Sequence, residues 1–234
     1  MTGQVDPAEV LRQIGQAGEG PHDIARAALM LSALDHVGRP LDPYEAHLAE
    51  IAEAARNDAH ALHHVEDAAR AISALIVGRF GYDGDRLTYD DPKNADLMTV
   101  IDRRRGLPVS LGVLYMHAAR AAGFEAAGLN SPGHFLLRLD APSGYALIDP
   151  FNGGAGVDRE RMATHPKMGV HASDEPHVLE PVSDAEVLLR LQNNLKLRAM
   201  NAGDRVRALE IARPGQALHN EAALGLAGLK RLIN

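Results

Sequence analysis

The chain has 234 residues, 46% of them hydrophobic and 24% charged, the mix of a folded domain large enough to bury its own core. A formal net charge of −7 and the absence of cysteine argue against a general field for nucleic acid or an anionic membrane, and exclude disulfides, thiolate metal sites and any thiol nucleophile. No stretch approaches the ~18 continuous apolar residues of a spanning helix, and the opening MTGQVDPAEV lacks the basic flank and apolar run of an export signal, so a cytoplasmic protein is expected.

In chain order, residues 1–80 read as a helical region packed on a central core. Asp6-Pro7 opens a helix with Val10, Leu11 and Ile14 on one stripe. Asp23 caps a second, carrying Ile24, Ala27, Ala28 and Leu31 and ending near Gly38-Arg39-Pro40. Asp42-Pro43 starts an alanine-rich run toward Arg56, and a fourth helix is expected from His60 to Val77. From Phe80 to Asn94 the density of Gly, Asp, Asn and Pro predicts an irregular surface segment. A helix over Ala95–Arg104 stops at Gly106, and Pro108 begins the next, which runs to Gly123 with Val109, Val113, Leu114 and Ala118 inward.

Beyond Gly123 the period shortens. Phe124–Leu129, His134–Leu139 and Tyr145–Ile148 read as strands of a small antiparallel meander, with turns at Ser131-Pro132-Gly133 and Ala141-Pro142-Ser143-Gly144. A loop with His165, His171 and His177 leads to Pro181, and Ser183 with Glu186 forms a capping box for a helix through Met200. Two further helical pieces, Arg205–Arg213 and Gln216–Leu232, close the chain. The class is α+β and helix-dominated, divided as 1–80, a core over 81–181, and terminal helices over 182–234.

Ser110, His134 and Asp149 stand in the order of a known catalytic layout: a small nucleophile in the first turn of a buried helix, a histidine at a strand start, and an aspartate at the end of the next strand. Helix N-terminal amides favour a thiolate or a developing oxyanion, a strand-borne histidine can act as base, and a carboxylate beside it fixes its tautomer. Arg105, Asn130 and Asn152 neighbour these three and are the candidate binding residues.

The run Arg104-Arg105-Gly106-Leu107-Pro108-Val109-Ser110-Leu111, then Pro132-Gly133-His134-Phe135-Leu136, then Asp149-Pro150-Phe151 with Gly153-Gly154, resembles the SirB-type branch of the transglutaminase-like superfamily, which also occurs inside some eukaryotic F-box proteins. The resemblance extends through Leu41-Asp42-Pro43 and Tyr89-Asp90-Asp91-Pro92 upstream, and Pro181-Val182-Ser183, Arg190 and Asn194-Leu195-Lys196 downstream. It implies a papain/transglutaminase-like core of a central helix on a small antiparallel sheet, with tetratricopeptide-like helices at the tail. It also implies that His134 and Asp149 are the family's histidine and aspartate. The family nucleophile is a cysteine, and this chain has none. Ser110 is the nearest polar residue to the slot, which Pro108 or Val109 fills in alternative alignments.

Three readings are open. In one, the chain is a non-catalytic protein- or peptide-binding protein, with no cofactor and no metal, whose groove near His134 and Asp149 holds the partner. In a second, it is a regulatory interaction module in which the terminal helices dock a partner and the core is only a platform. In the third, Ser110, His134 and Asp149 act as a serine-dependent hydrolase or acyltransferase. A serine in a first helical turn also commonly bonds backbone groups. The triplet Arg103-Arg104-Arg105 is either a helix C-terminus complementing its dipole or an anion clamp at the site mouth. His117 reads as an interior or boundary histidine, and His60, His63 and His64 as a solvated helix face rather than a metal site.

Overall fold

The computed structural model describes residues 6–16, 21–59, 61–129, 134–157, 180–209 and 211. Helices α1 (Pro7–Gln16), α2 (Ile24–Ala33), α3 (Asp42–Ala59) and α4 (Val65–Ser73) come first. The expected helix over His60–Val77 is shorter at its start, and its last turn, Ala74–Arg79, widens so that Phe80 N–H reaches back to Leu75 O. β1 (Asp83–Gly84), a turn of 3-10 helix at Pro92–Asn94, α5 (Leu97–Arg103) and β2 (Arg105–Gly106) come next. Then come α6 (Pro108–Ala121), β3 (Glu125–Leu129), β4 (Leu137–Ala141), β5 (Gly144–Asp149), a 3-10 turn at Pro150–Asn152, β6 (Ala155–Gly156), β7 (Pro181–Val182) and α7 (Asp184–Asn201). Residues 205–209 are again helical. The turn at Ser131-Pro132-Gly133, His60, the three loop histidines and the Gln216–Leu232 helix lie outside the described residues.

The architecture is helix-dominated with a small antiparallel sheet. Five strands run in the order β6-β5-β4-β3-β7, every pair antiparallel, while β1 and β2 form a separate two-stranded parallel ladder. The β4–β5 hairpin pairs Leu137 with Ile148 and Leu139 with Ala146, and closes at Ala141 and Gly144 around Pro142-Ser143. Gly144 has φ +132°, a conformation that L side chains rarely adopt, which is why glycine ends this turn.

α6 is the axis of the molecule and touches α2, α3, α4, α7, β1, β3 and β4. Its residues from Pro108 through Met116 are all buried, which fits a central element surrounded by others rather than an amphipathic surface helix. Leu111, Val113, Leu114, Tyr115 and Met116 join one apolar cluster with Leu29 and Met30 of α2, Ile51 of α3, Ile72 of α4, and Val187, Leu188 and Leu191 of α7.

Two close approaches set the sheet against this axis. A Cβ on Gly112 would lie 2.3 Å from the Phe135 ring, and one on Gly128 would lie 3.0 Å from it, so Phe135 sits between α6 and β3 in space that only glycines leave. A Cβ on Gly84 would likewise meet Phe151 O at 2.5 Å and the Phe151 ring at 2.6 Å. The two aromatics that flank the candidate site are therefore each seated against glycine.

α7 is pinned by charge as well as by packing. Arg120 on α6 makes paired 2.7 Å hydrogen bonds to both oxygens of buried Asp184, and His22 N–H donates to the same carboxylate at 2.8 Å. Ser183 and Glu186 form the expected capping box, with Ser183 N–H 2.8 Å from Glu186 Oε2 and Glu186 N–H 3.3 Å from Ser183 Oγ.

Candidate functional site

His134 and Asp149 meet because of the hairpin register. Leu137 faces Ile148, so the same register extended by one residue sets Asp149 opposite Leu136, two positions from His134. His134 Nε2 lies 2.7 Å from Asp149 Oδ2. The Asp149 carboxylate also accepts from Phe151 N–H at 3.0 Å, Asn152 N–H at 3.1 Å and the Asn152 side-chain amide at 2.7 Å, and so caps the 3-10 turn at Pro150–Asn152. Burial pushes the Asp149 carboxyl up. The His134 ring, the Asn152 side chain and the Asn152 backbone amide outweigh that and hold it below the ordinary carboxylate range. An ionised carboxylate only accepts, so His134 Nε2 is the donor in this pair, and in the neutral imidazole that leaves the lone pair on Nδ1. The imidazole is about one-quarter exposed.

Ser110 is arranged differently. It is fully buried, at the third position of α6. Its Oγ accepts from Leu107 N–H at 2.9 Å, the half of a capping box that an N3 side chain can supply. Its single proton has two acceptors, Asn94 O at 2.7 Å and Leu107 O at 3.0 Å. Among the described residues all its hydrogen bonds go to backbone, and none goes to His134. Pro108 and Val109, the other residues that the alternative alignments place in the slot, are buried and carry no nucleophilic atom. The structure thus brings His134 and Asp149 together and leaves Ser110 engaged elsewhere.

Asn94 is the hub of that engagement. Its backbone carbonyl also accepts from Leu107 N–H at 2.9 Å, its amide nitrogen donates to Thr88 O at 2.6 Å, and its Oδ1 accepts from Arg103 at 3.1 Å. Arg103 also reaches Asp85 at 3.0 Å. Asp85 accepts from the Thr88 hydroxyl and amide as well, and these with Arg103 hold it well below the ordinary range despite its burial. The segment expected to be an irregular surface loop therefore carries two buried polar anchors, Asp85 and Asn94. Sequence reasoning missed both, because a stretch rich in turn formers gives no sign of which polar residue points inward.

The three arginines diverge. Arg103 ends α5 and serves Asp85 and Asn94. Arg104, at φ 57°, stacks on the Tyr82 ring and donates to His47 Nε2 at 2.6 Å. Exposed Arg105 donates to Gly81 O at 3.2 Å and Arg104 O at 2.9 Å, with no hydrogen bond to His134 or Asp149. Asn130 lies outside the described residues. Asn152 is part of the site as a positioning residue: its amide nitrogen holds Asp149 while its Oδ1 accepts from Arg86 at 3.2 Å. His117 is half-buried with Nε2 2.9 Å from Leu48 O. His63 and His64 are exposed.

Two further groups complete the surroundings. Phe151 meets Tyr89 edge to face at 5.6 Å, with Arg86 over the Phe151 ring at 5.2 Å. Arg190 of α7 donates to His134 O at 3.1 Å and lies over the Phe135 ring at 5.3 Å. Burial holds its guanidinium below its usual pKa.

Residues 42–193 match the model of the transglutaminase-like superfamily. The chain is 37% identical over 130 residues to a UPF0162 protein of Xylella fastidiosa, a match covering 53% of this chain and 46% of that one. It is 30% identical over 195 residues to a UPF0162 protein of Pseudomonas aeruginosa, covering 74% and 72%. It is 33% identical over 82 residues to the F-box only protein 21 of Mus musculus, covering 35% of this chain and 13% of that protein. The match spans about half the length of the Xylella relative. With the family's motif residues spread over α6, the β4–β5 hairpin and the turn after it, the chain belongs to the transglutaminase-like superfamily, with UPF0162 proteins among its relatives.

Proposed function

We propose that this protein is a non-catalytic member of the SirB-type branch that binds a protein or peptide beside His134 and Asp149, with its tetratricopeptide-like terminal helices as a regulatory platform. One observation carries the reading. Whichever residue is aligned with the family nucleophile, the start of α6 offers no free nucleophilic atom: Pro108 and Val109 have none, and the Ser110 hydroxyl is engaged by Asn94 and Leu107. A serine hydroxyl is far less acidic than a thiol and needs a base aligned on it. The only base in this layout, His134, is hydrogen-bonded to Asp149 and makes no bond to Ser110.

The His134–Asp149 pair then serves recognition. A partly exposed imidazole with an oriented lone pair accepts a hydrogen bond from a peptide N–H as readily as it would take a proton from a nucleophile. The test is acyl transfer: purified protein is offered an activated ester and a peptide glutamine donor. The reading expects no turnover above a denatured control. Turnover that is lost in Ser110→Ala would overturn it in favour of a serine-dependent hydrolase or acyltransferase.

A further inference from the structure

Among the arginines that are at least partly withdrawn from solvent, a carboxylate partner is the rule. Arg103 holds Asp85 at 3.0 Å, Arg120 holds Asp184 at 2.7 Å, Arg138 holds Asp140 at 2.7 Å and Arg207 holds Asp35 at 2.8 Å. Arg104 has none among the described residues, but its guanidinium is engaged by His47 and Tyr82, and buried Arg198 comes within 4.0 Å of Asp90 while bonding the Asn194 side chain and Tyr89 O. Arg190 is the exception. Among the described residues it makes one hydrogen bond, to His134 O, and rests on the Phe135 ring within electrostatic reach of the Tyr89 phenol. Its other N–H donors have no acceptor among the described residues.

An arginine so placed is a receptor for a planar anion. Its fork presents parallel donors matched to two oxygens, and the aromatic surface beneath it orients the plane and strips water from one face. The location matters as much as the chemistry, because the residue it bonds is His134 itself. His134 is thus held at both ends, its ring by Asp149, which also fixes the Phe151 turn, and its carbonyl by Arg190. The ionised Asp149 on the other side of His134 disfavours a doubly charged ligand at the same place.

We infer that Arg190 is the anion anchor of the His134 site and takes a carboxylate of a bound peptide, from either a chain terminus or an Asp/Glu side chain. This rests on the peptide-binding reading above and adds the class of ligand. The probes are N-acetylglycine for a terminal carboxylate, N-acetylglutamic acid N-methylamide for a side-chain carboxylate, N-acetylglycinamide as the uncharged control, and inorganic phosphate. Each is titrated into the full chain while the Arg190 Nε–H and His134 ring resonances are followed by NMR.

Saturable movement of both resonances by at least one carboxylate, with affinity in the millimolar range and none with the amide, is the expected result. The carboxylate that binds more tightly identifies the source. In Arg190→Gln the affinity falls about tenfold or more, and Arg190→Lys, which keeps the charge without the fork, falls between. If Arg190→Gln does not fold, the wild-type titration and the lysine variant still decide. Carboxylates that leave the Arg190 resonance unmoved, an affinity unchanged in Arg190→Gln, or binding of phosphate alone would each overturn the assignment. Ser110-dependent acyl transfer would overturn the non-catalytic reading while leaving the anchor in place, so the two failures are distinguishable.

Discussion

The start of α6 and the end of the β4–β5 hairpin carry the two halves of one catalytic layout, and they have gone separate ways. At the helix start the only polar side chain is fully buried and all its bonds go to backbone. At the hairpin end an imidazole about one-quarter exposed is held by a carboxylate that four hydrogen bonds keep ionised. The geometry that orients the imidazole also does structural work: Asp149 caps the turn after its strand. A second pair of the same kind makes the point. His36 and Asp96 lie 2.5 Å apart, with Asp96 capping α5 and accepting from Ser32 and Thr99. A His–Asp contact by itself therefore marks a helix cap as readily as a catalytic site.

The comparison can be strained from the packing side first. Gly112→Ala drives a methyl into the Phe135 ring, which also lies against Gly128. Overpacking of this kind costs about 2–3 kcal/mol, and chemical denaturation should show it together with displaced His134 resonances, since Phe135 is the next residue. Asp149→Ala comes next, at about 2 kcal/mol near neutral pH, because it strands two backbone amides and the His134 ring.

That contribution has a direction in pH. The folded pKa of Asp149 is depressed, so the stabilisation is complete above the unfolded value of about 3.9 and is lost as pH falls through the folded one. The acid limb of the stability curve should accordingly be shallower in Asp149→Asn than in wild type. An unchanged limb would mean that the carboxylate is not held as described.

Ser110→Ala should cost only about 1 kcal/mol, because Leu107 N–H and Asn94 O still bond each other at 2.9 Å once the hydroxyl is gone. Carboxylate binding should be unaffected in that variant, which sharpens the contrast between the two ends. The smallest effect is expected for Asn152→Ala, at under about 1 kcal/mol. Its signature is an upward move of the Asp149 carboxyl, read by carbon-13 titration, because one of the bonds favouring the ionised form is removed.

How much of the fold and the site was legible in the sequence depends on the range of the interactions involved. The capping box at Ser183, the turn at Pro142-Ser143 and the start of α6 at Pro108 are local, and turn and cap chemistry reads them directly. The meeting of His134 with Asp149 was legible too, since a short hairpin fixes its own register. The concealed parts lie at long range. The acceptor of the Ser110 hydroxyl is a carbonyl 16 positions earlier, in a segment whose turn-forming composition hides its buried anchors. Arg190 comes from a helix 56 positions after the histidine it serves. Its significance is the absence of a carboxylate partner among the described residues, which no pattern of spacing displays.

The contrast between the two ends of the layout turns most on the state of one hydroxyl. Wild-type protein treated with a broad fluorophosphonate probe across about pH 6 to 9, a range that spans imidazole titration, and mapped by mass spectrometry should carry no adduct at Ser110. An adduct at Ser110 that disappears in His134→Ala would contradict the non-catalytic reading and make the three residues a working serine triad.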